Sequence, residues 1–340
     1  MREITLGNTG IKTPQNAFGA LPIQRVDKEQ AVKILRKAYE GGMIFFDTAR
    51  GYTDSEEKLG AAFEGIRDKI YIATKAMPMN PEKLRADLET SLKNLRTDYI
   101  DLYQLHCVSQ CYRPDDGTGM YEVLLEAKQQ GKIRHIGITA HKIGVAEEIA
   151  ESGLYETLQF PFSYLATDRD IALVKKCEEN GMGFIAMKGL SGGLLTNADA
   201  CMAFMSQYSV LPIWGIQRES ELEEWLSFFH KDVSMTEELQ AVIDKDRAEL
   251  LGDFCRGCGY CAPCSVDIII SQCARMSQLI RRSPSQGLLS EQWQKEMMKI
   301  DECIDCGLCK ERCPYELDIP ALLRKNLEDY RNILAGKAEC

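Results

Sequence analysis

The chain has 340 residues, 45% of them hydrophobic, and a formal net charge of -10 at pH 7. That length suggests about two domains with enough apolar material for a full core, which excludes a disordered chain. The negative balance excludes a nucleic-acid binder, which needs clustered Lys and Arg. No apolar run reaches the length of a membrane span, and the opening MREITLGNTGIK lacks the apolar heart of a signal peptide, so the expected location is the cytoplasm.

Up to about residue 230, short apolar stretches alternate with amphipathic ones. The strand candidates are NAFGAL (16–21), MIFFDT (43–48), KIYIATK (69–75), YIDLYQLH (99–106), KIRHIGIT (132–139), ETLQFPF (156–162), GFIAMK (183–188) and VLPIWGI (210–216). Successive candidates leave room for one crossover helix between them. Helical patterns fill that room at 31–42, 81–94, 120–130, 145–152, 168–180 and 220–229, the first ending in glycine as a left-handed C-cap prefers. Eight such units predict an α/β fold, a (β/α)8 TIM barrel; a doubly wound sheet is the weaker alternative because no GxGxxG follows the first strand. The strand pattern stops after Phe229. The expected domains are the barrel over 1–234, a connecting helix over 235–252 and a second, smaller domain over 253–340.

A (β/α)8 barrel assembles its site where the strands end. Asp47 follows IFF, Lys75 follows YIAT, His106 follows LYQL, and Tyr52 lies five residues beyond Asp47 in the same loop. Singly, each residue has an ordinary structural role. Together they suggest a proton-donor assembly in which Asp47 orients the Lys75 ammonium and that ammonium lowers the Tyr52 pKa from its usual value of about 10. The flanking sequence carries a resemblance as well: FFDTARGYTDSEEKLG (45–60), IATK ending at Lys75 and LYQLHCV around His106 resemble the aldo-keto reductase signature, over roughly the first 230 residues. The resemblance implies an NAD(P)-dependent oxidoreductase that interconverts a small carbonyl and its alcohol by hydride transfer. Tyr52 would be general acid in reduction and general base in oxidation, with His106 orienting the substrate.

By the same resemblance, Thr139 stands where relatives place a Ser-Asn pair on the nicotinamide carboxamide, with Ala140 in place of the Asn, and Gln159 matches the carboxamide-binding Gln. Phe162 or Tyr164 is expected to supply the aromatic face, with core packing as an equal reading. AMKGLSGGLLT (186–196), with Lys188, Gly189 and Leu190, resembles the pyrophosphate loop. GIQRESELEEW (215–225), with Gln217, Arg218, Glu221 and Glu224, resembles the segment that receives the adenosine phosphate. That segment departs from the family: Glu221 stands where several members have Arg for the 2′-phosphate, and Trp225 replaces an Asn that contacts adenine. NADP and NAD both stay open, with Arg218 tipping the balance to NADP. The long loop Val108–Gly119 carries Cys111, Tyr112 and Arg113, the last either a solvated charge or a partner for an anionic substrate.

Eight of the 14 cysteines fall in two runs, CRGCGYCAPC (255–264) and CIDCGLCKERCP (303–314). The second has the spacing that holds a cubane iron-sulfur cluster, in which the fourth cysteine ligates the other cluster of a pair. The crossed assignment is Cys255, Cys258, Cys261 and Cys313 for one [4Fe-4S] cluster, and Cys303, Cys306, Cys309 and Cys264 for the other. The first run is irregular at Cys264, which two residues rather than three separate from Cys261. Disulfides suit small secreted scaffolds, and zinc leaves the third cysteine of each run surplus. Cys107, Cys111, Cys177, Cys201, Cys273 and Cys340 are assigned no role. The stretches IIISQCARMSQLIRR, SEQWQKEMMKI and IPALLRKNLEDYRNIL read as helices, so residues 253–340 resemble the α-helical ferredoxins that form iron-sulfur subunits of larger oxidoreductases.

A nicotinamide delivers two electrons as hydride, whereas a cubane passes one. Flavin normally makes that split, and the chain has no flavin motif, although a barrel mouth can hold a flavin without one. The clusters are therefore expected to relay electrons between a partner and the barrel's substrate or a bound flavin, to dock an electron-transfer protein, or to be structural. The alternative function is an iron-sulfur electron-transfer or redox-sensing protein whose barrel binds nucleotide without reducing a carbonyl. Substrate identity and oligomeric state are not written in the chain.

Overall fold

Burial on both faces selects apolar, β-branched or aromatic strands, and the eight expected strands form a closed barrel. In the computed structural model, which describes residues 1–250, 254–282 and 285–338, they are β1 (Ala17–Gly19), β2 (Phe45–Asp47), β3 (Tyr71–Ala76), β4 (Ile100–Val108), β5 (Ile133–Ala140), β6 (Thr157–Pro161), β7 (Gly183–Met187) and β8 (Val210–Gly215). Each pairs in parallel with the next, and β8 closes on β1 with Ile213 opposite Ala17. Ile4, Leu6 and Ile11, from an antiparallel hairpin (Glu3–Thr5 with Lys12–Pro14), cluster with Ala17, Phe45, Ala73, Leu102, Ile185 and Leu211 near the strand starts. The opposite end is thereby left for chemistry.

The crossover helices are α1 (Lys28–Glu40), α2 (Ser55–Ala62), α3 (Pro81–Leu95), α4 (Met120–Gln129), α5 (Ile143–Ser152), α6 (Asp168–Glu179), α7 (Ala198–Met205) and α8 (Glu219–Ser227). Local chemistry marks several of their starts. Asp27 accepts from the Gln30 amide, Asn80 accepts from Lys83 ahead of Pro81, and Thr167 with Asp170 forms a capping box. Two helices escape the amphipathic pattern. In α2 the buried residues include Ser55, Glu56 and Lys58, so its inner face is polar. In α7 all but Asp199 are buried, which erases the contrast between faces.

The described residues form two compact units, Met1–Gly189 with Ala198–Leu239, and Leu190–Asn197 with the chain from Gln240 onward. The remaining helices are α9 (Glu237–Leu250), α10 (Ile270–Cys273), α11 (Met276–Arg282), α12 (Glu291–Met298), α13 (Leu308–Glu311) and α14 (Ile319–Leu334). In the second unit Ile268, Ile270, Met276, Ile280, Met297, Leu323, Leu327 and Tyr330 share one core with several cysteines. Asn326, buried on α14, accepts from Ser277 N at 2.8 Å and donates to Ala274 O at 3.2 Å, joining α14 to the start of α11. Residues 251–253, where the connecting helix is expected to end and the second domain to begin, and Cys340 lie outside the described residues. Among the described residues no helix is long and apolar enough to cross a membrane.

Candidate functional site

Register brings the strand-end residues together. Asp47 ends β2, opposite Ala73 of β3, and Lys75 lies two residues further along β3, opposite Gln104 of β4. Lys75 Nζ donates to both Asp47 oxygens at 2.7 and 2.8 Å and to Thr48 O at 2.7 Å, with the two side chains 1% and 3% exposed. An ion pair so buried is tolerated when its remaining valences are met. The amides of Gln159 and Gln104 also bond to Asp47, and Gln104 Nε2 donates to Gln159 Oε1 at 2.9 Å. Burial pushes the Asp47 carboxyl up, and Lys75 with the two amides offsets part of that push.

Tyr52 corrects the expectation about its acidity. Lys75 Nζ lies 5.3 Å from the Tyr52 ring centroid, yet the phenol is pushed well above its ordinary range, by burial first, then by the Asp47 carboxylate and by Cys107. The ammonium does not lower it because Asp47 already neutralises that charge. A phenol so held keeps its proton at neutral pH, as a donor must. The His106 ring stands edge-on to Tyr52, with centroids 5.9 Å apart at 80°. Burial, then the Lys75 charge, lowers His106 to about 3, so the imidazole is neutral.

The loop that carries Tyr52 is tied down by residues the sequence reading did not single out. Arg50 N donates to Lys75 O at 2.9 Å, and the Arg50 guanidinium faces Glu56 at 3.6 Å and Asp87 at 3.9 Å. Glu56, 1% exposed, also accepts from Thr74 Oγ1 at 2.7 Å. The signal for this anchor was SEEK directly after GYTD: polar residues in α2 that hydrophobic periodicity cannot register.

The residues assigned to a nucleotide are spread more widely. Thr139 on β5 lies opposite Gln159 on β6, both 1% exposed. Thr139 Oγ1 accepts from Cys107 N at 2.7 Å, where Cys107 takes a left-handed backbone with φ 57°. Gln104 Oε1 is buried with no hydrogen-bond partner among the described residues, an acceptor that a ligand amide would satisfy. These groups fit a carboxamide. Phe162 packs in an aromatic cluster, 5.4 Å from Phe204 and 5.3 Å from Tyr208, and Tyr164 is fully buried, so core packing accounts for both. Lys188 is half-buried with φ 58°, Gly189 is buried against Trp214, and Leu190 belongs to the other unit. His141, absent from the sequence-based candidates, is buried, and burial and then the Lys188 charge lower its pKa well below the usual value.

At the start of α8, Glu221 accepts from the amides of Gln217 and Arg218 at 2.9 and 3.0 Å and from Arg218 Nη2 at 2.6 Å. Arg218 is thus paired in place. Glu224 is exposed, whereas Trp225 is buried and stacked on Trp214 at 3.8 Å with 7° between planes. In the long loop after β4, Arg113 pairs with Glu148 at 3.1 Å across exposed surface.

The cysteines of the second unit lie close to one another. Cys255, Cys261 and Cys313 are buried in its core, Cys264, Cys303 and Cys309 pack partly buried against it, and Cys306 is exposed. Burial pushes the Cys255 thiol up, and Cys258 and Cys313 nearby add to the push. Cys261 is pushed up to about 12 by burial and then by Cys255 and Cys258. Cys264, Cys303, Cys306 and Cys309, together with Cys261, line one pocket. A bond from the Leu308 amide, followed by one from Ser265, lowers Cys306, favouring its thiolate. Among the described residues no group of three or more His, Cys, Asp or Glu closes on a single-ion site. Thiols crowded enough to raise one another suit a multivalent iron-sulfur centre, which takes all of them as thiolates.

Residues 3–208 match the aldo/keto reductase family, and residues 254–318 match a 4Fe-4S dicluster domain. Aldo-keto reductase YhdN of Bacillus subtilis is 28% identical over 215 residues, 58% of this chain and 64% of that protein. L-galactose dehydrogenase of Arabidopsis thaliana is 30% identical over 210 residues, 56% of this chain and 66% of that one. The NADH-specific methylglyoxal reductase of Escherichia coli is 27% identical over 228 residues, covering 58% and 69%. The first two are matched over less than two thirds of their own length. An aldo-keto reductase of Bacillus halodurans, in its holo form, shares the fold with a TM-score of 0.63 at 21% identity, over 72% of this chain and 96% of that one.

Proposed function

The chain belongs to the aldo/keto reductase family, an oxidoreductase whose barrel is followed by a 4Fe-4S dicluster domain, and from that premise we propose that it reduces small carbonyl compounds with a nicotinamide nucleotide. The observation that carries the reading is the Lys75–Asp47 pair beside a protonated Tyr52 and a neutral His106. Bound nicotinamide supplies hydride to the carbonyl carbon. Tyr52 gives its proton to the carbonyl oxygen, and the oxyanion that develops there draws the proton away. His106, uncharged, orients that oxygen without competing as an acid. Asp47 fixes Lys75 through both carboxylate oxygens, with Nζ 5.3 Å from the Tyr52 ring centroid, and so positions the cation beside the phenol. Thr139 and Gln159 would hold the carboxamide.

The Arg218–Glu221 pair shifts the nucleotide preference from NADP, which Arg218 alone suggests, to NAD. A 2′-phosphate would have to break that pair and approach a carboxylate. The two runs would hold two [4Fe-4S] clusters in the crossed arrangement, one on Cys255, Cys258, Cys261 and Cys313, the other on Cys303, Cys306, Cys309 and Cys264. Cys306 and Ile304, exposed on the second run, are where a cluster held there would meet an outside one-electron carrier.

The test is steady-state reduction of a panel of small aldehydes by anaerobically prepared protein, with NADH and with NADPH. We expect a higher kcat/KM with NADH, and a loss of roughly 10²- to 10⁴-fold in Tyr52→Phe, the usual worth of a general acid. Unchanged turnover in Tyr52→Phe would remove the barrel from the chemistry.

A further inference from the structure

Arg275 is a buried cation that the reading above leaves unused. It follows α10 in the second unit and is 6% exposed. Nε donates to Ser271 O at 2.9 Å and Nη1 to Gly192 O at 2.7 Å, both backbone carbonyls of the same unit. Among the described residues no carboxylate forms an ion pair with it. A guanidinium taken out of water without a counter-charge costs several kcal/mol, so the groups it faces decide whether it is tolerated.

It faces the first cysteine run. A Cβ built on Gly257 would lie 2.8, 2.9 and 3.0 Å from Arg275 Cζ, Nη1 and Nη2. Three atoms at nearly one distance mean that the guanidinium plane lies flat against the Gly257 α-carbon. Gly257 stands between Cys255 and Cys258, and its amide donates to Cys255 Sγ at 3.4 Å. A Cβ on Gly192 would lie 2.5 Å from Arg275 Nη1. Gly192 and Gly257 both take left-handed backbones, with φ 72° and 65°. A larger residue at either place would displace the guanidinium from this seat.

Resting on the reading that Cys255, Cys258, Cys261 and Cys313 hold one cluster, we propose that Arg275 is the fixed counter-charge of that cluster and raises its reduction potential. A cubane on four thiolates is anionic in both states and gains one further negative charge when it takes one electron, with no bond made or broken and no proton taken up. The donor, a low-potential one-electron reductant, loses that electron. A positive charge held nearby in a dry setting favours the more negative state, so it favours reduction. Through Gly192 the same guanidinium fastens Leu190–Asn197 to the cluster-bearing loop. Arg275 is a positioning and tuning residue, touching neither substrate nor iron.

The experiment is a dye-mediated potentiometric titration of the anaerobically reconstituted full chain, followed by electron paramagnetic resonance, with dithionite as reductant and iron and sulfide counted in each preparation. Wild type should show two waves. In Arg275→Gln one wave should move to lower potential by about 59 mV or more, a tenfold change in a one-electron equilibrium. The other wave should stay, serving as internal control, and Arg275→Lys should restore most of the shift. Gly192→Ala, which displaces the guanidinium but keeps its charge, should move the same wave and leave the other in place. Full iron content with neither wave moved in Arg275→Gln overturns the proposal, as does an equal shift in Arg275→Lys. Should Arg275→Gln fail to take up iron, Gly192→Ala decides, and an unmoved wave there overturns it. Wild-type protein that binds no iron and sulfide overturns the underlying cluster reading instead.

Discussion

The barrel and the cysteine-bearing unit treat buried charge in opposite ways. In the barrel every charge near the site meets a side chain: Lys75 meets Asp47, Arg50 meets Glu56 and Asp87, and Asp47 is further bound by two amides. The second unit buries Cys255, Cys261 and Cys313 beside one another and places Arg275 against their loop. Cys255 and Cys261 are pushed up by burial and by neighbouring thiols. The lesson is that the barrel's site is a property of the folded chain, whereas the second site is a property of the chain together with iron.

The largest test of that contrast is removal of iron. Structural metal can contribute on the order of 10 kcal/mol to a small domain. Anaerobic chelation should therefore abolish a thermal transition belonging to the second unit and leave the barrel's transition in place. Calorimetry of loaded and stripped protein checks this, and two unchanged transitions would break the comparison. Asp47→Asn asks the reverse question. It strands the Lys75 ammonium in a dry site and should cost the barrel about 3 to 5 kcal/mol, lowering its transition while iron content and both waves stay as they were.

The remaining effect is a pH dependence, confined to the acid side. Because His106 is held at about 3 when folded and has an ordinary value near 6.5 when unfolded, the unfolded chain binds the extra proton between those values. Barrel stability should therefore fall as pH drops from about 6.5 toward about 3, with no contribution from this residue above that window. Denaturant midpoints for wild type and His106→Gln over this range should show a flatter acid limb in the variant. Parallel limbs would mean that His106 takes up its proton in the folded barrel as it does in the unfolded chain.

Much of this was legible in the residue order. Alternation of apolar strands with amphipathic helices specified a closed eight-stranded barrel because both faces of each strand are buried, and burial is what periodicity reports. Asp47, Tyr52, Lys75 and His106 stood out because strand ends in such a barrel share one mouth, and the cysteine intervals reflect the reach of a short loop around a cube. Tertiary structure alone decided the rest. The chain order could not reveal that Asp47 neutralises Lys75 and that burial raises Tyr52, because the sign of a pKa shift is the balance of desolvation against every neighbour. Nor could it reveal that Glu221 holds Arg218, that Trp225 stacks on Trp214, or that Arg275 lies across Gly257. The stacked tryptophans and Arg275 with Gly257 join positions more than ten residues apart, and such pairings exist only once the intervening chain has folded. Periodicity and spacing record what each residue does locally; partners brought from afar set charge, acidity and redox tuning.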